Sequence, residues 1–374
     1  MKWFKNIFRD KKLIIVDDVF PRLLSSFRIE EYNSYLRNYQ HCEVISTLAD
    51  FQEAKEEYIE YYSEFAERVH PMNPNKKFGC SLFYTVFLNN AYRFLPLFED
   101  EGVPFIFTLY PGGGFWLNNE ESDKKLHQVC CSPLLRKIIV TQKLTYDYLV
   151  YNNFCSYDKI EFVYGVVLPS DRFQRHLVPK KRYKKEKKTF DICFVAHKYT
   201  EGGRDKGYNT FIEVAHRLMH ICHDVHFHVV GNFDDCDIDV SMLKDKIVFY
   251  GYRCGDFFSE FYSRMDLILS PNIPFVQAPG KFDGFPTGAC VEAGLNGVAV
   301  FCTDVLNMNN DFENGRHLCI IPCDIDGILK IILDYYNDVA KLYELSNRGM
   351  EIFCSLFQAD RQMAPRLKVI DKHL

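Results

Sequence analysis

Asp283 and Glu292 are the two carboxylates whose surroundings could do chemistry. They sit in the stretch Asp283–Gly297, DGFPTGACVEAGLNG, where an acidic residue and Gly-Phe-Pro-Thr-Gly lead into a short apolar segment. Gly288 stands where a helix would begin, so the amides of Thr287, Gly288 and Ala289 would face whatever lies in front of it. Unpaired amides and the helix dipole both favour an anion there, and a phosphate above all. Glu292, one turn further in, could accept hydrogen bonds from sugar hydroxyls, with Asp283 at the mouth of the loop. A ligand with phosphates at one end and hydroxyls at both is a nucleotide sugar. The same letters also describe a Gly/Pro-rich turn entering an ordinary α/β helix, and the stretch alone does not choose between the two.

The stretch resembles the donor-site motif of retaining glycosyltransferases of the GT-B fold, especially glycosyltransferase family 4, the glycosyl transferases group 1. That pattern runs through an acidic residue, Gly-Phe, Pro, and then Glu-Ala and Gly. The resemblance implies Glu292 on the nucleotide ribose and Asp283 on the donor hexose. Two departures stand out: the family spaces its carboxylates eight apart, whereas these are nine apart, and the first is Asp rather than Glu.

The loop His197–Gly207, HKYTEGGRDKG, follows the apolar run Phe190–Ala196. It resembles the family's first nucleotide-domain loop, where an Arg and a Lys-Gly pair hold the donor diphosphate. Lys206-Gly207 matches the Lys-Gly element. The Arg falls near His197 or Lys198, where this chain lacks it, and Arg204 could substitute from the longer loop. Two cations beside a helix N-terminus would stabilise a departing diphosphate without a metal. A solvated charged loop is the other reading of these residues. The turn Gly251-Tyr252-Arg253 resembles the family's base-recognition turn, with Tyr252 or Arg253 packing on a nucleobase.

These residues need a scaffold, and the pattern of apolar runs supplies one. Leu13–Val16, Glu43–Ser46, Ser81–Leu88, Val103–Leu109, Lys137–Thr141 and Ile160–Tyr164 read as strands between helical segments, the first long one being Phe51–Val69. From Phe190 the alternation restarts, which argues for doubly wound, mostly parallel α/β sheets. The resemblance implies two Rossmann-like domains facing a central cleft: residues 1–170, and residues 190–357 carrying the donor site, with the helix 358–374 returning to the first. Residues 171–189, holding the run PKKRYKKEKK at 179–188, read as an exposed basic linker. In the first domain, Tyr110 and Gly112, Gly113 and Gly114 follow a strand at its carboxyl end, where open α/β sheets bind ligands. They are the acceptor-side candidates.

Length and composition bound the rest. A chain of 374 residues has room for two cores, and a net charge of −5 argues against a general nucleic-acid binder. The 14 cysteines include no Cys-x-x-Cys pair and sit largely in apolar runs, as small buried hydrophobes of a reducing compartment would. A cytoplasmic protein is the expectation. Residues 1–12, MKWFKNIFRDKK, are basic and amphipathic, and with 179–188 they could touch the inner face of an anionic membrane. The acidic run Asp234–Asp239 contains Asp-x-Asp, yet lies away from the matching motifs, so no metal or other cofactor is expected. The implied activity is transfer of a hexose from a nucleotide sugar to a hydroxyl of a glycan or lipid-linked acceptor, in surface polysaccharide or glycoconjugate assembly. An epimerase or phosphorylase on the same scaffold, or a non-catalytic sugar-nucleotide or glycan-binding partner, would share the donor motifs.

Overall fold

The computed structural model describes residues 11–169 and 178–374. The amphipathic segment at the N-terminus therefore lies outside the described residues except for its last two, as does the first part of the expected linker. The chain divides into two units, Met1–Pro169 with Ala359–Leu374, and Ser170–Gln358.

Unit one is built on seven parallel strands: β1 (Leu13–Asp17), β2 (Cys42–Ser46), β3 (Val69–Pro71), β4 (Leu82–Val86), β5 (Phe105–Leu109), β6 (Leu135–Val140) and β7 (Ile160–Phe162), in the order β3-β2-β1-β4-β5-β6-β7. β1 and β4 are buried along their whole length, as expected for strands covered on both faces. The expected long helix Phe51–Val69 is shorter. It runs over Phe51–Tyr61, passes into a 3-10 turn at Ser63–Arg68, and gives way to β3. β3 ends in a proline, which cannot donate to a ladder, and it sits at the sheet edge. The C-terminal helix Ala359–His373 packs within unit one, where the Tyr39 hydroxyl donates to Asp371 at 2.9 Å.

Unit two carries six parallel strands: β8 (Phe190–Val195), β9 (Val225–Val230), β10 (Ile247–Phe249), β11 (Leu267–Ser270), β12 (Ala299–Cys302) and β13 (Cys319–Ile320), in the order β10-β9-β8-β11-β12-β13. The order reverses between β8 and β11, so the loops leaving these two strands diverge from one crevice. The helix Tyr208–Met219 shows why the sequence folds this way. Phe211, Ile212, Ala215 and Leu218 recur at helical spacing and are buried against one face of β8 and β9, among Ile192, Phe194, Phe227 and Val229.

The basic run is not the exposed linker expected from its composition. Tyr183 is buried in the core of unit two. The Lys180 ammonium donates to the Tyr262 and Met265 carbonyls at 2.7 and 2.6 Å. Lys187 is paired with both Asp191 and Asp266. A tight turn carries Arg182 to Lys187, and it leaves Lys181, Lys184, Lys185 and Lys188 exposed. Composition registers charge. It does not register that one lysine meets two buried aspartates and another two backbone carbonyls.

Candidate functional site

The two loops leaving β8 and β11 meet through their backbones. Gly207 closes the first loop at φ 73°, and a Cβ there would stand 2.0 Å from the Pro271 carbonyl oxygen at the start of the second. Only glycine fits both the dihedral and the approach. This contact delivers Lys206, buried at 9% exposure, to the second loop, where its ammonium lies 2.6 Å from Asp283 Oδ2. Asn272 donates to the same oxygen at 2.9 Å and is itself held by Ser270, whose hydroxyl donates to it at 2.8 Å. Asp205 braces the first loop: it accepts from the Thr200 hydroxyl at 2.6 Å, and its carbonyl accepts from the Ile273 amide at 3.1 Å.

After Asp283 the chain turns into the helix Gly288–Leu295. Thr287 caps it, its hydroxyl accepting from the Cys290 amide at 3.4 Å. The amides of the first turn, Gly288 and Ala289 among them, have no carbonyl a turn earlier to bond. Gly288 is exposed, with open space where a side chain would stand. Glu292 is half-buried one turn into this helix, and its charge adds to burial in pushing the Tyr262 hydroxyl well above its ordinary pKa. Asp283 and Thr287 line one cavity with Asn272, and Lys206 meets it at Asp283, so the carboxylate and ammonium that join there come from 77 residues apart.

Of the other residues the sequence points to, some join this crevice and some do not. His197 and Tyr252 come together, the tyrosine hydroxyl 2.8 Å from His197 Nδ1 and the rings 5.3 Å apart, and the Tyr199 ring also packs on His197, at 4.4 Å. Burial, and then Lys206, lowers the His197 pKa and favours a neutral imidazole. Gly251, at φ 67°, accepts from the Gly231 amide at 3.0 Å and sets the turn that presents Tyr252. Arg253 is exposed and stacks over Phe257 at 5.5 Å. Lys198 is taken up elsewhere, gripping Asp237 at 2.7 and 2.9 Å. Arg204 is exposed, on the solvent side of the loop whose neighbours Asp205 and Lys206 are buried. The 3-10 turn Glu201–Lys206 carries Lys206 inward and leaves Arg204 on its outer side.

One expectation in unit one is corrected. Tyr110 is buried at 6% exposure; its hydroxyl donates to Glu31 at 2.8 Å and accepts from Arg366 at 3.4 Å, so it is a core residue and not an acceptor-facing one. The glycines after it adopt φ of 80°, 54° and 90° at Gly112, Gly113 and Gly114. A Cβ on Gly113 would run into the Phe87 ring at 2.2 Å, and one on Gly114 into Asn89 at 2.0 Å. Packing accounts for these two, leaving Gly112 facing open space.

Asn272, Tyr199 and Lys281 are the residues that spacing passes over. Tyr199 lies inside the loop already singled out, and Lys281 is two residues before Asp283. Their signal is proximity in sequence to a motif residue, with no pattern of their own. In the acidic run, Asp234, Asp235 and Cys236 are exposed with their ligand atoms within 4.8 Å of one another. Backbone amides of the same loop already occupy part of this cluster, Cys236 donating to Asp234 at 2.9 Å.

Comparison with known proteins bears on the family and the fold. The sequence profile of the family described as Glycosyl transferases group 1 matches residues 189–338, which span the crevice of unit two. No curated protein matches the chain. Among solved structures, a glycosyltransferase from Rickettsia africae ESF-5 is 15% identical with a TM-score of 0.72, covering 98% of this chain and 99% of that one. Anabaena Alr3699/HepE, in complex with UDP and glucose, is 14% identical with a TM-score of 0.71, covering 97% of this chain and 100% of that one. Sucrose-phosphate synthase (tll1590) from Thermosynechococcus elongatus is 11% identical with a TM-score of 0.65, covering 97% and 98%. At these identities the likeness is one of fold, and the fold is GT-B. Among the described residues, no helix is long and apolar enough to cross a membrane.

Proposed function

We propose that this chain, a glycosyltransferase of the GT-B fold whose residues 189–338 belong to the glycosyl transferases group 1 family, moves a hexose from a nucleotide sugar to a hydroxyl of a glycan or lipid-linked acceptor, with retention of anomeric configuration. The observation that carries the reading is the Lys206–Asp283 ion pair beside a Thr287-capped helix start. An ammonium and first-turn amides converge where a diphosphate would sit, and a carboxylate stands next to them for the sugar.

In this reading Lys206 and the amides of Gly288 and Ala289 hold the diphosphate, and they stabilise the charge that builds on it as the glycosidic bond breaks. Glu292 accepts from the ribose hydroxyls. Asp283 keeps its hydrogen bond from Asn272 and accepts from a hexose hydroxyl once the diphosphate draws Lys206. The stacked group of Tyr199, His197 and Tyr252 receives the base. UDP is the first nucleotide to try, because Alr3699/HepE is solved with it. Lys206 and the helix-start amides take the role a metal has in other transferases, so transfer is expected to persist in EDTA. The setting is assembly of a surface polysaccharide or glycoconjugate, with Lys181, Lys184, Lys185 and Lys188 able to meet an anionic membrane.

The test is differential scanning fluorimetry with UDP, GDP, ADP and CDP, followed by a transfer assay with the corresponding nucleotide sugars. One nucleoside diphosphate is expected to raise the melting temperature, and Lys206→Ala and Glu292→Ala to abolish the rise. If none of the four shifts the wild type, the reading fails.

A further inference from the structure

A departing diphosphate carries more charge than one ammonium offsets, and the residue that sequence spacing offers as a second cation, Arg204, is turned to solvent. We infer that Lys281 is the second cation of the diphosphate site, presented by the loop between β11 and Asp283. This rests on the donor site proposed above and names a residue of it.

Three observations carry the inference. The Lys281 and Lys206 ammonium groups lie 5.2 and 5.1 Å from the centroid of one ring, that of Tyr199, so a single diphosphate beside Tyr199 is within reach of both. The loop that carries Lys281 is pinned at both ends of its tight turn, the Lys281 amide donating to Ala278 at 3.1 Å and its carbonyl accepting from Phe275 at 2.7 Å. The backbone from which the lysine projects is therefore fixed, two residues before the carboxylate that pairs with Lys206. Finally, burial and then the Lys206 charge lower the Lys281 pKa, against the pull of Asp283 and Asp205. Two cations that repel one another while flanking an aromatic ring form a site that gains from a multiply charged anion between them. Tyr199 is the ring that both ammonium groups approach, and it neutralises neither.

Lys281 also differs in role from Lys206. Lys206 is paired with Asp283, so part of its charge is already offset. Lys281 has no ion pair within 4.0 Å among those the described residues form, and its charge is available to the phosphates.

The experiment measures binding of UDP and UMP to wild type, Lys281→Ala, Lys281→Arg and Lys184→Ala by calorimetry, with each variant's melting temperature as the check on folding. Should GDP, ADP or CDP prove the tighter ligand in the screen, that nucleotide and its monophosphate replace them. Lys281→Ala is expected to lose about 10–100-fold in diphosphate affinity, as for a charge-assisted contact. Its monophosphate affinity should fall far less, so the preference for diphosphate collapses. Lys281→Arg should recover most of the loss, and Lys184→Ala, on the distant basic turn, should bind like wild type. Diphosphate affinity of Lys281→Ala within twofold of wild type overturns the inference and leaves the donor site standing on Lys206. A wild type that binds no nucleoside diphosphate overturns both together.

Discussion

Replacing Arg366 with methionine should cost unit one several kcal/mol, chiefly by leaving the Glu31 charge uncompensated. Both side chains are fully buried, with Arg366 Nε 3.8 Å from Glu31 Oε1. The guanidinium also donates to the Gln362 carbonyl at 2.7 Å and to its side-chain oxygen at 3.0 Å. Glu31 accepts from the hydroxyls of Tyr84 and Tyr110. Burial opposes the arginine's charge, but Tyr110 and Glu31 more than offset it, so the guanidinium stays protonated. At an effective dielectric near 20, unit charges at that separation attract by ~4 kcal/mol. Removing one member of such a buried pair typically costs about 3–5 kcal/mol, because the other is left uncompensated.

The expected loss for Arg366→Met is therefore about 3–5 kcal/mol, or roughly 6–20 °C in the unfolding temperature of a unit this size. Both tryptophans, Trp3 and Trp116, belong to the first part of the chain, so tryptophan fluorescence during urea unfolding reports on unit one. The decisive variant is the double one. Glu31→Gln with Arg366→Met removes both charges, leaves the tyrosine hydroxyls a partner in the amide, and should recover most of the loss. If the double variant costs as much as the two single ones added, the electrostatic reasoning is wrong and Arg366 matters through packing alone.

Two further outcomes follow from the geometry of unit two. Gly207→Ala forces a Cβ to within 2.0 Å of the Pro271 carbonyl at a left-handed dihedral, and should lower stability by at least ~2 kcal/mol and weaken nucleoside diphosphate binding; a variant with wild-type binding would show that the two loops need not touch. Lys180 gives a pH signature. Burial brings its pKa down from 10.5 to about 7, so above pH 7 the unfolded chain holds a proton the folded one has shed, and stability should rise from pH 7 to 9 by on the order of 1–2 kcal/mol. Beyond pH 9 buried thiols such as Cys193, held above their ordinary value of 9.0, act in the opposite sense. Lys180→Met should flatten the rise, and an unchanged slope in urea midpoints against pH would refute the assignment.

Much of the scaffold is legible in the sequence because parallel strands covered on both faces must be apolar runs. Leu13–Asp17, Phe105–Leu109 and Phe190–Val195 announce themselves in this way. β3 does not, having three residues and ending in Pro71 at the sheet edge. The helix Glu120–Cys131 is passed over for a related reason: its first turn is acidic and its apolar stripe thin. Its start was nonetheless written in the sequence, with Asn119 accepting from the Ser122 amide at 3.0 Å ahead of Glu120, Glu121 and Asp123. Tyr110 shows the opposite failure. Its place after a strand at the carboxyl end of a sheet is a site position in general, but the residues that claim it, Glu31 and Arg366, are 79 and 256 positions away.

The same distinction settles how to regard the nine-residue spacing between Asp283 and Glu292. Thr287 caps the helix and Gly288 begins it, so the four residues from Gly284 to Thr287 belong to the connection and the rest of the interval is helix. A residue more or less in that interval, if it falls in the connection, leaves Glu292 at its place one turn past the cap. What such a residue could change is where the acidic side chain stands, and here two contacts fix it: Lys206 at 2.6 Å and Asn272 at 2.9 Å. Asp283 is thus positioned by partners from the β8 and β11 loops, whatever the count to Glu292. Its aspartate side chain is one methylene shorter than the family's glutamate, and Lys206 reaches to meet it. Spacing along the chain measures the position of a carboxylate only when nothing else holds it; where an ammonium and an amide converge on one oxygen, those contacts are the better guide to where that carboxylate stands.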